Sequence, residues 1–146
     1  MGTPTIRITN GAAPPEARAI RERVFVEEQH VAREEEWDEH DAAGAATLHL
    51  VAFEGSRAVG CARVRTRGDA AKIERVAVLA ERRRHGLGRV LMEAAERAAL
   101  ERGHHALVLH AQRAVIPFYE RLGWKAHGPE FSEAGIPHRA MAKTVV

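Results

Sequence analysis

Residues 82–88 read RRRHGLG and lead directly into RVLMEAAERAALERG. Three arginines, a histidine and two glycines thus stand at the mouth of an amphipathic run. The first N–H groups of a helix lack intrahelical partners, and the helix dipole places partial positive charge there. Side chains are missing at Gly86 and Gly88, so an anion such as a phosphate can reach those N–H groups. Arg83, Arg84 and Arg89 would add charge-assisted contacts. The spacing is Arg83-x-x-Gly86-x-Gly88, which is neither G-x-G-x-x-G nor G-x-x-x-x-G-K-[ST]. The same letters also suit a plain solvated turn, so the neighbouring elements have to decide.

Other reactive side chains exclude more than they suggest. None of the nine histidines falls in H-E-x-x-H, and the adjacent pair His104–His105 cannot chelate from one strand face. No metal is expected. The single cysteine, Cys61, lies in apolar company and reads as a small core residue. It cannot form an internal disulfide, and the N-terminal MGTPTIRITN lacks the basic and apolar regions of a secretory signal, so a reducing cytoplasm is expected. Trp37 and Trp124 read as packing anchors. Net charge is only +2, yet residues 27–41 hold eight of the twenty acidic residues while residues 82–89 hold four arginines and no acid. Two opposite fields on separate segments suggest two different ligands or two exposed helix ends. The arginine cluster is one turn long without interleaved aromatics, which speaks against nucleic acid.

These groups need a scaffold. With 146 residues, 45% apolar and 29% charged, the chain fits one soluble domain over 1–146, and no apolar run reaches membrane-spanning length. TIRIT (5–9) alternates as a strand, and APPEARAIRERVFVEEQ follows as a helix started by Pro14 and Pro15. The acidic segment to Gly44 carries mixed signals, of which most of REEEWDEHD fits a solvated face. TLHLVAFEG (47–55) and RAVGCARVRT (57–66) read as a hairpin through EGSR. KIERVAVLA (72–80) is a β-branched strand, in which alternation places Glu74, Val76 and Val78 on one face and Ile73, Arg75 and Ala77 on the other. The helix to Arg102 should bury Leu87, Val90, Leu91, Ala94 and Ala98. HALVLHA (105–111) is a strand, and VIPFYERLGW a short helix closed by Gly123. WKAHG and RAMAKTV read as strands around a loop, PEFSEAGIP. The segment 72–111 is a βαβ unit, which requires parallel pairing. The expected fold is α/β (α+β): a mixed sheet of 6–7 strands between about four helices.

In this setting, RVAVLAERRRHGLGRVLM resembles the pyrophosphate-binding segment of the GCN5-related N-acetyltransferases, a V-x-V strand followed by R-G-x-G-x-G and a helix. Val76 and Val78 match the strand; Arg83, Gly86, Leu87 and Gly88 match the loop. Arg84 stands where the first glycine is common, and Ala80 where proline is common. LHAQRAVIPFYERLGW resembles the family's last conserved segment through Phe118, Tyr119, Gly123 and Trp124, with Gln112 replacing asparagine and Val115 replacing alanine. VFVEEQ…EEEWDEHD and EAGIPHRAM further resemble the ElaA-like branch. The resemblance spans nearly the whole chain and implies a three-layer GNAT sandwich.

The resemblance implies acyl transfer from acetyl-CoA, as co-substrate, to an amine. Strands 72–80 and 105–111 would splay apart and hold the pantetheine arm along the backbone of Val76, Ala77 and Val78, with the Val76 N–H on the thioester carbonyl. Loop 83–88, with Arg89 and Gln112, would hold the rest of the cofactor. Tyr119, the only tyrosine, resembles the family's general acid, against a reading as a packing residue. A primary amine with a pKa near roughly 10.4 is under about one part in a thousand neutral at pH 7, so a base is needed. Glu74 stands where some relatives carry one; it serves equally well as an ion-pair partner of Lys72. His110 is a second candidate, against a satisfied core histidine. Glu28 matches the branch's V-F-V-x-E-Q pattern and, with His138, would face a small-molecule or peptide amine; no membrane or nucleic acid partner is implied. The alternative is a non-catalytic acyl-CoA sensor. A C-terminal edge strand could pair two copies as a homodimer.

Overall fold

The computed structural model describes residues 3–146. Seven strands form one sheet: β1 Thr5–Asn10, β2 Thr47–Glu54, β3 Arg57–Arg67, β4 Ala70–Val78, β5 Ala106–Gln112, β6 Lys125–Glu133 and β7 Ile136–Thr144. Their spatial order is β1-β2-β3-β4-β5-β7-β6, antiparallel except where β4 meets β5. The helices are α1 Pro15–Arg21, continued by a π-helical turn Glu22–Glu28, then α2 Arg33–Glu36, α3 Leu87–Glu101 and α4 Ile116–Arg121. This matches the expected mixed sheet with four helices and a central βαβ unit.

Alternation along the strands builds two cores. Leu50 and Ala52 of β2 join Leu87, Leu91, Met92 and Tyr119 on the α3/α4 face. Val51 and Phe53 join Ala17, Ile20 and Val24 on the α1 face. The α3 stripe is rotated from the expected one. Leu87, Leu91, Met92, Ala95, Ala98 and Ala99 are buried, while Val90 and Ala94 are half-buried. Small residues on this stripe bring α3 close to the sheet. A Cβ on Gly60 of β3 would stand 2.8 Å from Leu91 Cδ1, so a larger residue there would force Leu91 to shift. Leu91 is fully buried, a contribution of about 1.5–3 kcal/mol.

Three other expectations change. PEFSEAGIP is not a loop: β6 runs to Glu133 and the turn shrinks to Ala134 and Gly135. The C-terminal strand β7 is paired on both sides, by β5 and β6, so it offers no edge to a second copy; β6 is the edge. Strict alternation in β4 fails at Arg75, which takes φ +56°. There Cys61 pairs with Ala77 but Arg63 pairs with Glu74, leaving an extra residue on β4. This bulge switches the parity of the strand. Ile73 therefore shares the α3 core with Val76 and Val78, and Ala77 packs toward α1.

Candidate active site

Strands β4 and β5 pair only at Ala71–Leu107 and Lys72–Val108. Beyond that point β4 keeps β3 and β5 keeps β7, so the two strands part. The gap opens into a cavity of about 990 Å³. Val76, Val78, Gly86, Gly88, Gln112, Tyr119 and His138 all line it. Residues expected at the site, drawn from four separate segments, thus converge on one space.

One end of the cavity is the start of α3. The helix has no side-chain cap, and its first intrahelical bond runs from Val90 N–H to the Gly86 carbonyl at 3.1 Å. The N–H groups of Leu87, Gly88 and Arg89 therefore have no carbonyl within the helix to bond. Gly86 takes φ +80° with open space where a Cβ would point, while a Cβ on Gly88 would stand 3.1 Å from Phe118 Cζ. Leu87 turns its side chain into the core and offers only its backbone. Arg84 holds φ +66°, the left-handed conformation that explains why glycine is common at this place in the resembling motif. Arg84 makes no ion pair among the described residues, and Arg89 reaches only Glu93 at 3.6 Å. Arg82 is held by Glu54 at 2.7 Å. Arg83 Nε donates to the Val78 carbonyl at 3.0 Å, and its terminal nitrogens donate to both Glu28 oxygens at 2.6 and 2.8 Å. Arg83, expected on the anion, and Glu28, expected on the acceptor, are thus partners of each other. Arg83 holds the Glu28 carboxyl below its ordinary range.

Tyr119 sits behind the gap on α4. Its ring is 8% exposed and packs edge-on against Phe118 and Trp124. Its hydroxyl has no hydrogen-bond partner among the described residues. Burial pushes its pKa up to about 12, so the phenol stays protonated at neutral pH and keeps a proton to donate.

Glu74 lies in a different environment from the one a base requires. Its carboxylate accepts from Arg63 at 2.6 Å and Arg65 at 2.6 Å, with Lys72 at 3.2 Å. Burial alone would raise its pKa, but Arg63, Lys72 and Arg65 outweigh that and hold it at about 2. Such a carboxylate is a poor proton acceptor near pH 7. Of the two readings of Glu74, the geometry matches the ion-pair partner.

The network extends into the acidic segment, where Glu36 and Asp41 turn inward while Glu34, Glu35 and Glu39 stay on the expected solvated face. Arg21 bonds Glu36 at 2.8 Å and Asp41 at 2.6 Å, and Arg63 bonds Asp38 at 2.8 Å and Asp41 at 3.1 Å. Arg75 reaches Glu36 at 3.1 Å. Glu36 and Asp41 are only 3% exposed. Trp37 lies under the Arg18 and Arg21 guanidiniums. Nothing in the sequence pattern singled out Arg21 or Arg63. The available signal was Arg63 within the apolar strand VGCARVRT, because a buried charge must be paired. Cys61 is buried, and burial pushes its thiol up to about 12, which fits a packing residue.

On the far side of the gap, Gln112 Nε2 donates to Gln29 Oε1 at 2.8 Å, joining the end of β5 to the π-helical turn. His138 is 6% exposed, stacked on Phe131, with Nδ1 2.7 Å from the Ile136 carbonyl. Among the described residues, no group of three His, Cys, Asp or Glu could hold a metal, and no helix is long and apolar enough to cross a membrane.

A family model described as an acetyltransferase (GNAT) domain matches residues 12–145. The uncharacterised N-acetyltransferase YjcF of Bacillus subtilis (strain 168) is 40% identical over 125 residues, which cover 85% of this chain and 87% of that protein. An acyl-CoA N-acyltransferase from Pseudomonas aeruginosa superposes with a TM-score of 0.85 at 26% identity, covering 97% of this chain and 100% of that one. Escherichia coli ElaA shares the fold, with a TM-score of 0.80 at 23% identity over 95% of this chain and 99% of its own. The parted strands, the uncapped glycine turn and these likenesses agree: this chain belongs to the GNAT acetyltransferase family, the acyl-CoA-dependent N-acyltransferases.

Proposed function

We propose that the protein transfers an acetyl group from acetyl-CoA to a primary amine by direct attack within a ternary complex. The observation that carries this reading is the parting of β4 from β5 after Lys72, beside the uncapped start of α3. One edge of β4 then offers main-chain groups to the pantetheine arm, and the amides at Gly86–Arg89 face the diphosphate. Binding energy from that remote end fixes the thioester for attack. Arg84 and Arg89 supply positive charge directly, and Arg83 joins them by exchanging Glu28 for phosphate. The Val76 N–H serves the thioester carbonyl, whose oxygen gains negative charge in the transition state. Tyr119 donates its hydroxyl hydrogen bond to the departing sulfur.

The acceptor enters from the side of the π-helical turn and the β6–β7 hairpin. Glu35, exposed at the cavity wall, and Glu28, exposed outside that wall and released from Arg83, give this side the charge to attract an ammonium group. His138 lines the same side. The test is a thiol-release assay with acetyl-CoA against a panel of amines: small alkylamines, polyamines, amino acids and lysine peptides. Release that depends on one amine class supports the proposal. Saturable acetyl-CoA binding with no turnover on any amine would overturn it in favour of a sensor module.

A further inference from the structure

The reaction proposed above needs a proton acceptor, and the environment of Glu74 disqualifies it. A second cluster faces the same cavity. His110 on β5, Glu133 on β6 and His138 on β7 all line it. The order β5-β7-β6 and the registers Gln112–His138 and Phe131–His138 bring these strands together on the face away from α3. Glu133 stands between the two imidazoles, with Oε1 2.9 Å from His110 Nδ1 and Oε2 3.7 Å from His138 Nε2. Phe131 packs edge-on to His110 at 5.0 Å and stacks on His138 at 6.0 Å, so both rings are fixed.

The partners assign the tautomers. Arg67 Nη1 stands 3.5 Å from His110 Nε2. A guanidinium can only donate, so Nε2 carries the lone pair and Nδ1–H donates to Glu133. His138 Nδ1–H donates to the Ile136 carbonyl, which leaves its Nε2 toward Glu133. His110 thus lines the cavity with its Nδ1–H held by a carboxylate, the arrangement that stabilises an imidazolium once it forms, and with Nε2 as its acceptor nitrogen. Arg67 opposes that charge, but from a longer distance and an exposed position. His110 keeps 20% of its side chain open, so it is not a sealed core histidine.

We infer that His110 is the catalytic base of the proposed transfer and that Glu133 is its positioning residue. The inference rests on the acetyltransfer reading. His110 Nε2 takes one proton from the acceptor ammonium. The freed amine attacks the thioester carbon, so a C–N bond forms and the C–S bond breaks. The second proton lost by nitrogen ends on the coenzyme A thiol through Tyr119, whose own proton is restored. The proton held by His110 passes to solvent beside the exposed Glu133. The sum is ammonium plus acetyl-CoA giving amide, thiol and one free proton.

The test compares wild type, His110→Gln and Glu133→Gln on the amine that turns over fastest in the panel. Expected for His110→Gln is a kcat lower by about 10²- to 10⁴-fold, an unchanged KM for acetyl-CoA, and loss of the acidic limb of the kcat–pH profile. His110→Ala should regain turnover with added imidazole. Glu133→Gln should move the acidic limb to lower pH, because the imidazolium loses its counter-charge. A folded His110→Gln within threefold of wild-type kcat overturns the inference alone. If His110→Gln does not fold, the Glu133→Gln limb decides, and an unmoved limb overturns it. A wild type that turns over no amine removes the acetyltransfer reading and the base with it.

Discussion

Replacing Tyr119 by Phe separates chemistry from packing more cleanly than any other single change in the cavity. The ring is buried against Phe118 and Trp124, and phenylalanine keeps those edge-on contacts. The hydroxyl has no protein partner among the described residues, so its removal breaks no hydrogen bond in the fold. Thermal stability should therefore stay within about 0.5 kcal/mol, or roughly 2 °C in Tm. The chemical step behaves differently. With its pKa at about 12, the phenol is ionised in only about one molecule in 10⁵ at pH 7. It acts by donating to a sulfur that gains negative charge as the C–S bond breaks. A hydrogen bond to a charged group contributes about 1.5–3 kcal/mol. If that bond exists only in the transition state, kcat falls roughly 10- to 150-fold with little change in KM. The assay is thiol release at saturating acetyl-CoA and amine, with Tm measured on the same samples. An unchanged kcat at unchanged Tm would refute the role of Tyr119. A fall in kcat that tracks a fall in Tm would assign the residue to packing.

Glu74→Gln should cost stability rather than chemistry. Its folded pKa of about 2 lies below the ordinary 4.5, and the difference corresponds to about 3 kcal/mol at neutral pH. That stabilisation is full above pH 4.5 and drains away as pH falls toward 2, so wild type should lose stability there and Glu74→Gln should lose little more. At pH 7 the variant leaves Arg63, Arg65 and Lys72 short of an anion, and Tm should drop on the order of 10 °C. Folded Glu74→Gln with a hundredfold lower kcat would restore Glu74 as a base. Arg83→Ala should weaken acetyl-CoA binding about tenfold, read by calorimetry. Glu28→Gln should tighten it by roughly 1.4- to 5-fold, the worth of an exposed pair of about 0.2–1 kcal/mol, while raising KM for the amine. Weaker acetyl-CoA binding in Glu28→Gln would contradict the exchange of partners at Arg83. Gly88→Ala should cost about 1 kcal/mol through the Phe118 contact and also weaken acetyl-CoA binding. Tight binding by that variant would move the diphosphate elsewhere.

The architecture was legible because its signals are local. Alternation in β2, the Gly86–Gly88 turn after β4 and the buried stripe of α3 each announce an element and its direction, and the βαβ rule supplies the parallel pair. The convergence of Tyr119, Gln112 and the arginine turn on one cavity was legible through the family resemblance. What the sequence hid depends on distant pairing. Nothing near Arg75 in KIERVAV marks a bulge, yet one extra residue moved Ile73 onto the face of Val76 and Val78 and left Glu74 among cations. The segment REEEWDEHD reads as solvated on its own. Its Glu36 and Asp41 are buried because Arg21 and Arg63, fifteen or more positions away, supply the opposite charges. PEFSEAGIP looks like a loop by its glycine and prolines, and only the pairing of β7 with the distant β5, and of β6 with β7, carries the strands through it.

The most direct measurement of the central claim is a backbone amide shift map on adding coenzyme A, compared with pantetheine, which has no diphosphate. The account predicts that coenzyme A moves the amides of 84–89 together with Val76–Val78, and that pantetheine moves only Val76–Val78. Coenzyme A shifts that leave the amides around Gly86 and Gly88 untouched would contradict it.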